Sequence, residues 1–149
     1  MRLSVLKAKN DGQVHKAEVQ FIPDDAFLGV CPQRPVLVFA EFQVLKKDVL
    51  LRLEFEFFIK TECDLCCKET VFRSEVKLTE LVKYGDKDAD DDSYTYTGDE
   101  IELDRIVNEA ILFALPAQIL CRNDCKGLCS ACGADRNVSQ CNCETGNRE

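Results

Sequence analysis

The sequence has no tryptophan, one methionine and one histidine, His15. With a single histidine, no Cys–His catalytic pair can form away from that residue, and no His-rich hydrolytic zinc site can be built. The chain also lacks a phosphate-cradling P-loop, a G-x-G-x-x-G turn and a G-x-S-x-G elbow. It has no long uncharged run: the longest, Ala110 to Cys121, contains Pro116 and falls well short of the roughly 20 residues a spanning helix needs. Nor is there an excess of positive charge. Nineteen Lys and Arg face 27 Asp and Glu, a net charge of −8. Nucleic-acid affinity comes largely from neutralising phosphates, so a broad non-specific RNA-binding face is not expected, and any basic contact must be local. The N-terminal stretch MRLSVLKAKNDGQVHK has no apolar core of a secretory signal. These absences lead us to expect a cytoplasmic protein without membrane or small-molecule partners, in a compartment that keeps thiols reduced.

What is present is apolar residues and cysteine. The 149 residues are 46% hydrophobic, enough to bury a core, and ten are Cys. Leu3 to Ala8 and Val14 to Phe21 read as two short strands around a turn at Asn10-Asp11-Gly12. Pro35 to Leu45 is apolar and β-branched. A turn at Lys46-Lys47-Asp48 then leads to Val49 to Lys60, where Leu51, Leu53, Phe55, Phe57 and Ile59 alternate with Arg52, Glu54 and Glu56. Glu69 to Leu78 alternates again. Asp86 to Glu102 is acidic and reads as a solvated loop, without the ligand pattern of an EF-hand. Leu103 to Leu115 carries Ile106, Val107, Ala110, Ile111 and Ala114 at helical spacing, and Pro116 stops it. The expected fold class is α+β: a mainly antiparallel β-sheet with one packed helix and a C-terminal cysteine-rich, zinc-binding tail. Residues 1–120 are expected to form the β domain, with the acidic loop at 85–102 and the helix at 103–115. Residues 121–149 form the tail.

That tail needs something other than a core to fold it. After Arg122 its only aliphatic residues larger than Ala are Leu128 and Val138, yet six Cys lie between Cys121 and Cys143. Such a segment cannot offset its ordering entropy by burial, whereas metal binding supplies folding free energy directly. Cys129-Ser-Ala-Cys132-Gly133 has the spacing at which two thiolates reach one tetrahedral ion, and Cys141-Asn-Cys143 could complete that site. Cys63 and Cys66 form a second C-x-x-C on the turn between two strands, where Cys121 and Cys125 could meet them. An alternative draws one site from Cys63, Cys66, Cys129 and Cys132. Spacing does not choose between one zinc ion and two, and an iron–sulfur cluster competes for the same ligands. Cys31 and Cys67 read as ordinary apolar residues. A thiol redox or metal-handling role for Cys63 and Cys66 is the rival reading. It requires a depressed thiol pKa, and a hairpin supplies no helix N-terminus to lower it.

The tail resembles the YceD family through the pattern C-x3-C-K-G-L-C-x2-C-G-x3-N-x3-C-x-C. Cys121, Cys125, Lys126, Gly127, Leu128, Cys129, Cys132, Gly133, Asn137, Cys141 and Cys143 carry it. Cys63 and Cys66 on a hairpin, the acidic run, and Leu115-Pro116 at the end of a helix follow the same family order, so the resemblance covers roughly residues 45–143. The family usually has Arg before the second hairpin Cys and Leu after it; here Leu65 and Cys67 stand there, so any contact made through that Arg is absent from this chain. The resemblance implies a non-catalytic factor in ribosome biogenesis that supports accumulation of large-subunit ribosomal RNA. Its partner would be ribosomal RNA or a ribosomal protein of the large subunit. Arg122, Lys126, Arg136 and Arg148 are the candidate basic contacts on the tail.

Overall fold

A computed structural model describes residues 1–23, 31–32, 35–85 and 92–143, with backbone alone at 31–32. The fold is α+β, dominated by an antiparallel sheet. Three long strands form its centre: β4 (Val36–Leu45), β5 (Asp48–Glu62) and β6 (Glu69–Tyr84). β2 (Val14–Phe21) pairs with β4 on one side. The short β3 (Cys31–Pro32) pairs with the far end of β5, and β7 (Thr95–Tyr96) pairs in parallel with the last residues of β6. A separate two-stranded ribbon joins β1 (Arg2–Ser4) to β8 (Glu100–Glu102).

The alternation expected between Val49 and Lys60 sets the orientation of the sheet. Leu51, Leu53, Phe55, Phe57 and Ile59 are all buried. Val38, Ala40 and Phe42 of β4 join them on the same face, because side chains at every second position point the same way. Helix α2 (Asp104–Ala114) covers part of this face with Ile106, Val107 and Ile111. The outer face carries cross-strand ion pairs, among them Arg52 with Glu41 and Lys77 with Glu54.

Two expectations need correction. Leu3 to Ala8 is not one strand. β1 stops at Ser4, and Leu6–Asp11 forms a short helix, α1, closed by Gly12 in the left-handed conformation at φ 65°. Val5 and Ala8 are buried there, and β1 pairs with β8, not with β2. The acidic stretch is not loop throughout its described part either. Between residues 92 and 102 it contains β7 and β8, held by the buried Tyr96 and Ile101. Residues 86–91 of that stretch lie outside the described residues. β6 runs on to Tyr84, beyond the alternation read from the sequence, and among the described residues no helix is long and apolar enough to cross a membrane.

Candidate metal centre

β5 and β6 are joined by a turn over residues 63–68. The Lys68 carbonyl accepts from the Cys63 N–H over 2.8 Å, and the Cys63 carbonyl accepts from the Cys67 N–H over 2.9 Å. This geometry folds Cys63 and Cys66 inward, where both are buried, and leaves Cys67 exposed at φ 56°. Cys67 is thus a turn residue on the surface and not the apolar filler expected. Only the backbone of Cys31 is described, in β3.

The tail returns to this turn. The Ile119 carbonyl accepts from the Asp64 N–H over 2.9 Å, and the Leu65 carbonyl accepts from the Leu128 N–H over the same distance. Gly127 makes the second contact possible: its φ is 68°, and a Cβ there would lie 2.9 Å from the Leu65 carbonyl oxygen. Glycine alone meets both demands.

These contacts gather eight sulfurs into two groups. Cys63, Cys66, Cys121 and Cys125 form site A; Cys129, Cys132, Cys141 and Cys143 form site B. Within each group the sulfurs lie within 4.8 Å of one another. In site A the Cys63–Cys125 sulfur separation is 3.8 Å and the Cys66–Cys121 separation 3.6 Å. A tetrahedral ion with metal–sulfur bonds of about 2.3 Å sets its ligands about 3.8 Å apart. Either quartet could therefore hold one metal ion. The arrangement is the two-site partition; Cys63 and Cys66 do not meet Cys129 and Cys132.

Site B is built on its own knuckle. The Gly133 N–H donates to the Cys129 carbonyl over 2.8 Å with Gly133 at φ 72°, and the Cys129 N–H donates to the Ala134 carbonyl. Asn137 ties the sites together. Its Nδ2 donates to the Cys125 sulfur at 3.4 Å and to Asp135 at 2.8 Å. Its Oδ1 accepts from the Lys126 N–H and from Arg122, both at 2.8 Å. Asp135 in turn pairs with Lys68 at 2.7 Å, joining the tail to the hairpin. The cysteine motif marked Asn137 as a position but gave it no role, and Asp64, Leu65, Lys68 and Asp135 carried no signal. Such outer groups orient the ligands and adjust their basicity.

The electrostatics of each quartet are divided. Burial opposes ionisation of Cys63, but hydrogen bonds from the backbone of Cys121, Leu65 and Cys66 outweigh it and lower the thiol to about 6. Backbone hydrogen bonds at Cys132 and Ala131 likewise lower Cys129 to about 6. The neighbours are pushed the other way: Cys121 rises to about 12, chiefly through Cys66, and Cys143 to about 12, chiefly through Cys132. Packed thiolates repel, so one sulfur in each site ionises readily while others are held protonated. A cation among them reverses that penalty. Outside the quartets, Lys68 holds Asp135 down at about 2.

A family model described as "Large ribosomal RNA subunit accumulation protein YceD" matches residues 51–148, which takes in both sites and the strands that carry them. The chain belongs to the YceD family. Curated relatives of this YceD chain include uncharacterized proteins of Mycobacterium bovis and of two strains of Mycobacterium tuberculosis. Each is 35% identical over 77 residues. The match takes in 48% of this chain and spans only 37% of the length of those relatives. No solved structure matches the YceD chain.

Proposed function

We propose that this YceD-family protein is a non-catalytic zinc-binding factor in ribosome biogenesis that supports accumulation of large-subunit ribosomal RNA. The observation that carries the reading is the closed pair of cysteine quartets, one of which spans the hairpin and the tail. Zinc fits the donor set: four thiolates per ion, tetrahedral spacing, and no histidine or carboxylate in either group. All-cysteine sites of this kind are structural, with no coordination position left for a substrate. Zinc in site A would fasten the tail to β5 and β6, and zinc in site B would order the tail itself.

The ordered tail then presents a small surface. Lys126 and Arg136 are exposed and, with Ser139 and Gln140, line a shallow concavity beside Cys141 and Cys143. Arg122 is exposed too, but is engaged with Asn137 and with Asp124. Arg148 lies outside the described residues. We assign Lys126 and Arg136 the contact with ribosomal RNA or with a ribosomal protein of the large subunit, in a cytoplasmic setting. In cells depleted of the protein, large-subunit ribosomal RNA should fall relative to small-subunit RNA. The wild-type gene should restore it, and a gene carrying Cys63→Ser and Cys129→Ser should not. An unchanged ratio on depletion refutes the reading.

One feature favours the redox alternative: against the effect of burial, backbone hydrogen bonds from Cys121, Leu65 and Cys66 lower the Cys63 thiol. The same thiolate is what a metal requires, and its close sulfur neighbour is Cys125 in the tail. Metal analysis with thiol titration separates the two: reversible Cys63–Cys66 oxidation in metal-free protein purified from cells supports redox chemistry, and zinc with protected thiols supports the structural sites.

A further inference from the structure

Strand β6 pairs with β5 from Glu69 to Val82. On its other side, among the described residues, it pairs only with β7, at Lys83 and Tyr84. Among the described residues, the stretch from Glu69 to Val82 therefore leaves one backbone edge open. It contains no proline and no glycine and is far longer than the edge strands proteins ordinarily leave unprotected. Apolar surface lies along it. On the outer face Val71 is 56% and Leu81 46% exposed; on α2, beside the edge, Phe113 is 84% exposed. A groove of about 400 Å³ between α2 and β6 is lined by Val76, Leu78, Ile106, Ala110 and Phe113, among others.

The edge is complementary to itself. A two-fold axis through Val76, normal to the sheet, would lay β6 antiparallel against β6 of a second copy. Thr70 would then meet Val82, Val71 meet Leu81, Arg73 meet Thr79, and Glu75 meet Lys77, with every pair formed twice. This register uses the free stretch from Thr70 to Val82. Shifting the axis to Glu75 sets Glu75 against itself and Arg73 against Lys77; shifting it to Lys77 sets that lysine against itself. Like charges directly opposite are destabilising. An axis at Ser74 keeps a charge match, Arg73 with Glu75, but leaves residues 80–82 unpaired.

We propose that two copies of this chain join through their β6 edges in the register centred on Val76, making one continuous sheet. The two α2 helices would then lie side by side on the inner face. There Phe113 would be covered, and Ala110 and Ala114 would allow close approach. Charge favours a second copy over a basic partner. Between Glu69 and Val82 the edge carries Arg73 and Lys77 against Glu69, Glu75 and Glu80, nearly neutral in a chain of net charge −8. The acidity that would draw a basic segment lies elsewhere.

Light scattering and native mass spectrometry on the whole protein test this. The wild type should have the mass of two chains. Glu75→Lys alone, and Lys77→Glu alone, each place like charges opposite twice, and each should weaken association about tenfold or more, with circular dichroism unchanged. An equimolar mixture of the two variants restores both attractions and should give a complex containing one copy of each. A wild type with the mass of one chain at its highest workable concentration overturns the proposal. So does a dimer that both single variants keep, or a single-chain wild type whose edge takes up a basic peptide or RNA instead. The readouts do not depend on metal or on ribosomal RNA, so this inference and the proposed function fail separately.

Discussion

The Leu65 carbonyl accepts a hydrogen bond from the Leu128 N–H at 2.9 Å, so the backbone of the tail is docked on the hairpin at the residue before Cys66. The bond lies between the two sulfur quartets. Cys125 of site A and Cys129 of site B are separated only by Lys126, Gly127 and Leu128, and whatever displaces this contact disturbs both sites.

Gly127 is the most sensitive non-ligand position. Alanine there must adopt φ 68° and bring its Cβ to 2.9 Å from the Leu65 oxygen. We expect Gly127→Ala to cost on the order of 3 kcal/mol in tail docking. Gly133, at φ 72° with open space around it, should cost only about 1 kcal/mol on the same change. Zinc competition against a chromophoric chelator measures both, and equal losses would contradict the steric argument.

Zinc content should divide by site. Metal analysis of the wild type is expected to give two ions per chain. Cys66→Ser should remove the ion of site A and leave site B loaded, and Cys132→Ser should do the reverse. Loss of both ions from either substitution would mean that the quartets are not independent centres.

Removal of metal should unfold the tail and spare the sheet. Strong chelation is expected to speed amide exchange across residues 121–143, while amides of β4 and β5, backed by the apolar core, stay protected. Unchanged exchange in the tail would show that it is held without metal.

Asn137 binds no metal in this scheme, yet its amide reaches the Cys125 sulfur, the Lys126 N–H, Arg122 and Asp135. Asn137→Ala should therefore lower zinc affinity at site A by about tenfold or more, without changing the number of ions bound at saturation. A neutral result would reduce these contacts to packing.

Proton competition should have a visible break. Well above pH 6, Cys63 and Cys129 are ionised, each having been lowered to about 6, and metal entry displaces no proton from them. Below pH 6 each ion must displace one proton more. Zinc affinity should fall as pH falls, and fall more steeply below about 6. A slope that does not change across that point would place the low thiols elsewhere.

The sheet was legible where one face is buried and the other wet. Leu51 to Ile59 alternate over a long strand, and that pattern has one structural solution. Helix α2 was legible for the same reason, its apolar residues recurring over three turns. Helix α1 was not, because six residues are too few to separate a helical period from the alternation of Leu3 and Val5. β8 was hidden by composition: its buried Ile101 stands between two glutamates, and its partner β1 lies at the opposite end of the β domain. Spacing marked all eight cysteines of the two groups but could not sort them, since joining Cys63 and Cys66 to Cys121 and Cys125 depends on the chain doubling back. The contacts that steer this return, at Asp64, Leu65 and Asp135, are ordinary polar and backbone groups with no pattern of their own.

The division of ligands also sets an order in time. Chains are made from the N-terminus, so Cys63 and Cys66 emerge long before the residues that complete their quartet. Until Cys121 has left the ribosome the hairpin offers half a site, Cys125 completes the quartet, and site B closes only after Cys143 has followed. Metal held at the first site would thus mark a chain synthesised through its helix and into its tail, and a nascent chain stalled in between would carry two thiols without their partners.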